Sequence, residues 1–313
     1  MTVEPFPVVR VAHVAEREST PAWLVEHLWG EAAVGFVGGT PKSCKTWLSL
    51  ELAVAVASGR PCLGRFRVRR PGHVLLYAAE DSAGAVRHRV AGIARARGVD
   101  LQRLAVGLID EPGLRLDLHA HCERLDATVR KIRPRLLVLD PLVRLHRGDE
   151  NSAGDTSMLL GFLRQLQREY GVAIVLVHHV RKTPAGQPGQ ALRGSGDLHA
   201  WADSNLFLLR KKGRLELHAE HRGHPAPEPV VVELDKQELH LRVVEHTERE
   251  AKPENPLAER VVALLKTRAR TRTDLRQELR VRNETLGEVL LRLEADGRVT
   301  RLNGLLTVPR SGP

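Results

Sequence analysis

Aromatic residues supply only 4% of this 313-residue chain. That scarcity argues against a base-stacking platform of the OB or RRM kind, which works through exposed rings. Cysteine is scarce as well. Cys44, Cys62 and Cys122 stand far apart with no C-x-x-C spacing, a pattern of reduced cytosolic thiols that excludes a disulfide framework and a cysteine zinc site. None of the 15 histidines forms a ligand cluster with them. Long apolar runs are missing too: Leu136-Leu137-Val138-Leu139 is typical, against the roughly 20 residues a membrane span needs. The first residues, Met1-Thr2-Val3-Glu4-Pro5, show no basic segment followed by an apolar one. The expectation is a cytoplasmic protein, neither exported nor membrane-spanning.

Apolar residues make up 42%, enough to bury a sizeable core and to exclude wholesale disorder. The length suits one large domain plus a small appendage. At the surface, 48 Lys+Arg against 38 Asp+Glu give a formal charge of +10 and a pI near 10.0. Such a potential attracts polyanions, nucleic acid first among them, although an arginine-rich proteome yields the same excess without that partner.

From Ala33 onward, apolar strand-like runs alternate with amphipathic stretches. The pattern predicts strands at 33–38, 73–79, 104–108, 136–140 and 173–178, and helices at 45–58, 82–97, 119–132 and 155–170. Continuously apolar strands separated by helices mean an α/β fold with a mostly parallel sheet covered on both faces. Residues 1–32 read as an irregular lead-in. After Asn205 come short, closely spaced strands at 205–210, 214–219, 230–234 and 239–244, read as an antiparallel extension that completes a domain over 1–245. Residues 246–255 are charged, contain Pro253 and lack apolar periodicity, which makes them a linker. Residues 256–313 form a separate unit. Val261, Leu264 and Leu265 mark one helix and 273–279 a second. Leu286, Val289, Leu290 and Leu293 mark a third, capped by Asn283 and stopped by Gly297. A hairpin around Asn303-Gly304 follows. Three helices and a hairpin is the winged-helix order.

The strongest chemical signal is Gly38-Gly39-Thr40-Pro41-Lys42-Ser43-Cys44-Lys45-Thr46, with Trp47 next, between a strand and a helix. A phosphate loop needs that context. Backbone N–H groups at the helix start face a β-phosphate, Lys45 reaches β/γ oxygens, and Thr46 ligates Mg²⁺. Gly39, Thr40, Pro41, Lys42, Ser43, Cys44, Lys45, Thr46 and Trp47 are thus the nucleotide-binding candidates. The strict G-x-x-x-x-G-K-[ST] pattern breaks at Cys44, which is tolerable if the backbone there avoids conformations only glycine adopts. A thiol at a helix start beside Lys45 is also expected to ionise readily and to react with alkylating reagents unless nucleotide covers it.

Two more carboxylates join the loop. Asp140 ends an apolar strand 95 residues beyond Lys45, where a Walker B acid holds Mg²⁺. Glu80 and Asp81 follow the 73–79 strand; Glu80 is placed to polarise an attacking water, and Asp81 to cap the next helix. His178 and His179 lie at the mouth of another strand, where open α/β sheets bind ligands. Neighbours on a strand point to opposite faces, so this pair is no chelate.

The ordered set GGTPKSCKTW, YAAED, LLVLDPL, VLVHHVRK, RGSGDLHAWAD and EHRG, covering about residues 20–244, resembles the RecA-like ATPases of the RepA plasmid-helicase type. These belong to a broader AAA-labelled group from mobile elements. The resemblance implies ATP and Mg²⁺, a homo-oligomeric ring, hexameric in that family, DNA held as a single strand by its backbone, and replication or mobile-element proteins as partners. It implies His179 as the γ-phosphate sensor. It also implies that Arg222, in Glu220-His221-Arg222-Gly223, reaches a neighbouring subunit's γ-phosphate. The family usually carries a lysine where this chain has Glu220, and Arg210 competes for the role. Loops 144–154 and 180–196 would line the ring's channel, with Arg181, Lys182 and Arg193 on DNA phosphates.

In the tail, arginines cluster around the second helix, but Glu284 and Glu288 open the third. Backbone contact and a protein–protein role stand equal there. Two functions emerge: a DNA-associated, ring-forming motor of the helicase kind, or a nucleotide-gated DNA-binding adaptor that does not unwind.

Overall fold

The computed structural model of the protein describes residues 5–14, 22–148, 153–179, 196–211, 213–244, 256–295, 297–302 and 304–308. The chain divides into two units, Met1–Glu245 and His246–Pro313. In the first, β1 (Trp23–Val25) and β2 (Trp29–Gly30) form a small hairpin where the sequence suggests an irregular lead-in. Strands this short leave no periodic signature. What holds them is burial: Leu28 and Trp29 are sealed in the core, and the Trp29 indole donates to the Ala33 carbonyl at 3.1 Å.

The remaining elements of this unit alternate. They are β3 (Val34–Gly39), α1 (Lys45–Ser58), β4 (Val74–Ala78), α2 (Ala83–Ala96), β5 (Val106–Leu108), α3 (His119–Ile132), β6 (Leu136–Asp140), α4 (Ala153–Tyr170), β7 (Ala173–His179) and α5 (Gly196–Trp201), then β8 (Ser204–Lys211), β9 (Arg214–His221), β10 (Val230–Asp235) and β11 (His240–Val243). They build a nine-stranded sheet in the order β11-β10-β9-β8-β3-β7-β6-β4-β5. The run from β8 to β5 is parallel, and β9 to β11 continue it antiparallel. The α/β reading thus holds, with its antiparallel extension.

Both faces are covered because strand residues alternate sides. Leu136 and Val138 of β6 join the core under α1 and α2, while Leu137 and Leu139 join the one under α4. Every residue of α1 from Leu48 to Val56 is buried. A helix apolar all round needs cover on all sides, and α1 gets it from the sheet, α2 and β11. A buried clamp brings β11 back over α1. Glu51 accepts from the Leu241 amide and from Arg97, and Arg97 also donates to the Leu241 carbonyl, each at 2.8 Å. Gly92 of α2 is the contact point: a Cβ there would come within 3.0 Å of the Leu239 carbonyl oxygen.

Backbone pairing between β3 and β8 spans only 37–39 with 206–208. Below it, one backbone bond from the Asp203 amide to the Val34 carbonyl at 2.7 Å is joined by side chains. The Val34 amide donates to Asp203 Oδ2 at 3.2 Å and the Phe36 amide to Asn205 Oδ1 at 3.1 Å.

The second unit comprises α6 (Pro256–Thr267), α7 (Arg272–Leu279), α8 (Asn283–Ala295) and the hairpin of β12 (Thr300–Leu302) with β13 (Leu305–Thr307). Val261, Leu275, Leu286, Leu290 and Leu306 are among its core residues. Thr271 caps α7 in a reciprocal pair with Asp274. Asn283 is the first residue of α8 rather than a cap outside it. The 246–255 linker lies outside the described residues.

Candidate functional site

Strand register brings the candidate residues to one edge. Gly39 of β3 pairs with His179 of β7, and Ala78 of β4 pairs with Asp140 of β6. The carboxyl ends of four adjacent strands therefore meet along one edge, the place where open α/β sheets take ligands. Around them opens a cleft of about 390 Å³ lined by Lys42, Ser43, Cys44, Lys45, Thr46, Trp47, Ala78, Glu80, Asp81, Arg89, Asp140, Val177 and His179.

The loop between β3 and α1 has the form of an anion cradle. Lys42 (φ 61°) and Cys44 (φ 65°) both take left-handed backbone, and α1 starts at the next residue. Such alternation curls successive N–H groups into a concavity facing an anion. Gly39 is needed because a Cβ would run into Ser43 Oγ and sit 2.8 Å from the Leu208 carbonyl oxygen. The Ser43 hydroxyl is sealed from solvent with no hydrogen-bond partner, and a phosphate oxygen in the cradle would give it one. Cys44 thus sits where the second glycine of the strict pattern would lie without strain. Left-handed backbone costs a residue with a Cβ about 1–2 kcal/mol, so the substitution is tolerated at a cost.

The Cys44 thiol departs from its expected reactivity. Burial raises its pKa, and the charges of Arg210, Lys45 and Lys236 only oppose that shift. The readily formed thiolate is therefore corrected to a half-buried thiol that holds its proton.

Lys45 is almost wholly buried, and its Nζ donates to the Thr40 carbonyl at 2.9 Å. Burial lowers its pKa, with Asp140 the largest opposing charge. Thr46 Oγ1 donates to Asp140 Oδ2 at 2.7 Å. Burial pushes Asp140 up to about 6 against the Thr46 hydrogen bond, and the charge of Asp81 adds to the rise. A hydroxyl and a carboxylate in contact are oxygen donors suited to Mg²⁺, which takes one or two protein ligands and completes its shell with phosphates and water. The residues present fit that ion. Among the described residues there is no cluster of three or more His, Cys, Asp or Glu able to hold a metal alone.

The other acids have partners that sequence reasoning missed. Glu80 Oε1 accepts from Arg144 Nε at 2.9 Å. Asp81 does not cap α2; Ser82 does, accepting from the Ala85 amide. Asp81 instead receives two hydrogen bonds from Arg89, at 2.5 and 3.0 Å. The Arg89 guanidinium also lies 5.6 Å from the Trp47 ring centre. These contacts join residues eight and 64 apart, and no motif in the sequence marks either arginine. His179 opens into the cleft, whereas His178 is buried beside Phe36, with ring centres 6.0 Å apart.

Arg222 is elsewhere. Its amide bonds to the Asp203 carbonyl, and its guanidinium contacts Asp203 and the Ala200 carbonyl. Asp203 precedes β8, and Leu208 is level with Gly39, so Arg222 lies about 16 Å along the strands from the loop. It cannot serve its own subunit's site. Arg210, by contrast, follows Leu208 by two residues on the strand beside the loop. Arg181, Lys182 and Arg193 lie outside the described residues, as do the side chains of Glu284 and Glu288.

With this geometry the class is defined by comparison. The profile of a family described as an AAA domain matches residues 2–185, and the chain belongs to that family. The crystal structure of the RadB recombinase is similar, with a TM-score of 0.52 and 19% identity over 69% of this chain and 92% of that one. The fold is RecA-like. No described helix is long and apolar enough to cross a membrane.

Proposed function

We propose that the chain is an Mg²⁺-dependent ATPase that works on DNA as a RecA-like oligomer in the cytoplasm. The carrying observation is the phosphate cradle with its orphaned Ser43 hydroxyl, in one cleft with the Thr46–Asp140 oxygen pair and the Glu80 and His179 side chains. Lys45 leaves the Thr40 carbonyl for β- and γ-phosphate oxygens. Thr46 and Asp140 would hold Mg²⁺, which would supply Lewis-acid charge stabilisation to the phosphates. Glu80 takes a proton from water as its oxygen bonds to the γ-phosphorus and the bond to ADP breaks. His179 contacts the γ-phosphate, and a neighbour's Arg222 approaches it in trans, as in a ring. Arg181, Lys182 and Arg193 hold the backbone of single-stranded DNA, and residues 256–313 act as a winged helix on DNA or a partner protein.

Lys45→Ala is expected to abolish turnover in a folded chain; unchanged hydrolysis would refute the reading. Glu80→Gln is expected to bind nucleotide normally and turn over about 10²–10⁴-fold more slowly. The adaptor reading has its own support, since Glu220 stands where related helicases carry lysine and faces His199 at 3.5 Å. Strand displacement on a forked duplex separates the two: DNA-dependent hydrolysis without unwinding favours the adaptor.

A further inference from the structure

Glu80 is held in the free chain. Arg144, whose Nε donates to Glu80 Oε1 at 2.9 Å, ends the short 3-10 turn Leu142–Arg144 that follows β6. The strand that carries Asp140 therefore leads directly into the side chain that occupies the candidate base. Two other cations of the cleft are engaged elsewhere, Arg89 with Asp81 and Lys45 with Thr40.

The two ion pairs differ in strength. Arg89 and Asp81 are bidentate, with side chains only 26% and 24% exposed. Arg144 and Glu80 share one hydrogen bond, with side chains 61% and 49% exposed. Exposed single-contact pairs contribute little to stability and exchange readily. A phosphodiester offers a guanidinium a charged, bidentate partner, so it can take Arg144 from Glu80 and leave Arg89 with Asp81.

We propose that Arg144 is a positioning residue that couples DNA to hydrolysis: it occupies Glu80 in the free chain, and a DNA phosphate that takes its guanidinium releases Glu80 to the attacking water. This rests on the DNA-associated ATPase reading above. It adds a phosphate contact at the start of the β6–α4 connection and explains how that contact reaches the chemistry.

The test is steady-state ATP hydrolysis by the full chain with and without a single-stranded oligonucleotide. In the wild type, DNA is expected to raise kcat. In Arg144→Ala, kcat without DNA is expected to match the DNA-stimulated wild-type value, stimulation to fall to about one, and KM for ATP to stay within about twofold. Arg144→Lys keeps the cation and is expected to keep the DNA response, a rescue that a purely structural role would not produce. Stimulation retained in Arg144→Ala, or a lower DNA-free rate than wild type, overturns the coupling and leaves the ATPase reading standing. Wild-type turnover indifferent to DNA overturns both.

Discussion

Cys44 shows how one residue can depart from a motif while the backbone keeps the motif's shape. Its left-handed φ of 65° is what glycine would supply freely. Cys44→Gly is expected to raise stability by about 0.5–1 kcal/mol, the relieved strain being partly offset by the freer unfolded chain. Melting should shift up by about 1–4 °C, and nucleotide affinity should be kept. Asp140 carries a different cost. Its folded pKa of about 6 lies above its ordinary value of 3.8, so the folded state binds its proton more tightly than the unfolded one. This group therefore takes stability away as pH rises from about 4 to 6, and the full cost is present above that window. Asp140→Asn should stabilise the free chain at pH 7 relative to wild type and have little effect at pH 4, checked by denaturant titration. On the proposed function, a proton would also compete with Mg²⁺ for the carboxylate. Calorimetry should show Mg²⁺-dependent nucleotide affinity weakening below about pH 6 in wild type, and weak without that pH dependence in the variant.

Among the elements, α1 depends most on contacts far away in the chain. Glu51 is fully buried, and its oxygens hold both Arg97 and the amide of Leu241, 190 residues on. Removing one partner of such a pair leaves a buried charge uncompensated. Glu51→Ala is expected to cost about 3–5 kcal/mol, seen as a fall in melting temperature of about 6–20 °C. Glu51→Gln keeps a hydrogen-bonding group and should cost less. The bounds of α1 and β6 are legible from the sequence because each is a continuous apolar run with a clear stop. The β1–β2 hairpin is not, since strands of three and two residues show no period. Strand β5 shortens to 106–108 because β4, its one partner among the described residues, pairs with it at three positions. The helix cap moved from Asp81 to Ser82 because Arg89, two turns along α2, claims the carboxylate.

At the scale of the whole molecule, local pattern was enough for the α/β class, the phosphate loop, and the strand ends that carry Glu80, Asp140 and His179. Each of those rests on near neighbours in sequence: an apolar run, a glycine turn, an acid or histidine at a run's end. Strand order was out of reach of such reasoning, because parallel strands pair across connections whose intervening residues say nothing about which neighbour is chosen. Order and register are what level Gly39 with His179 and Ala78 with Asp140. They also carry Arg222 to the far end of the sheet and Arg210 toward the loop. Charge pairing behaves in the same way. A sequence shows 48 cations and 38 anions but not which of them meet. Folding chose Arg144 for Glu80 and Arg89 for Asp81, because only in three dimensions do the ends of β4 and β6 and the first turns of α2 converge on one cleft.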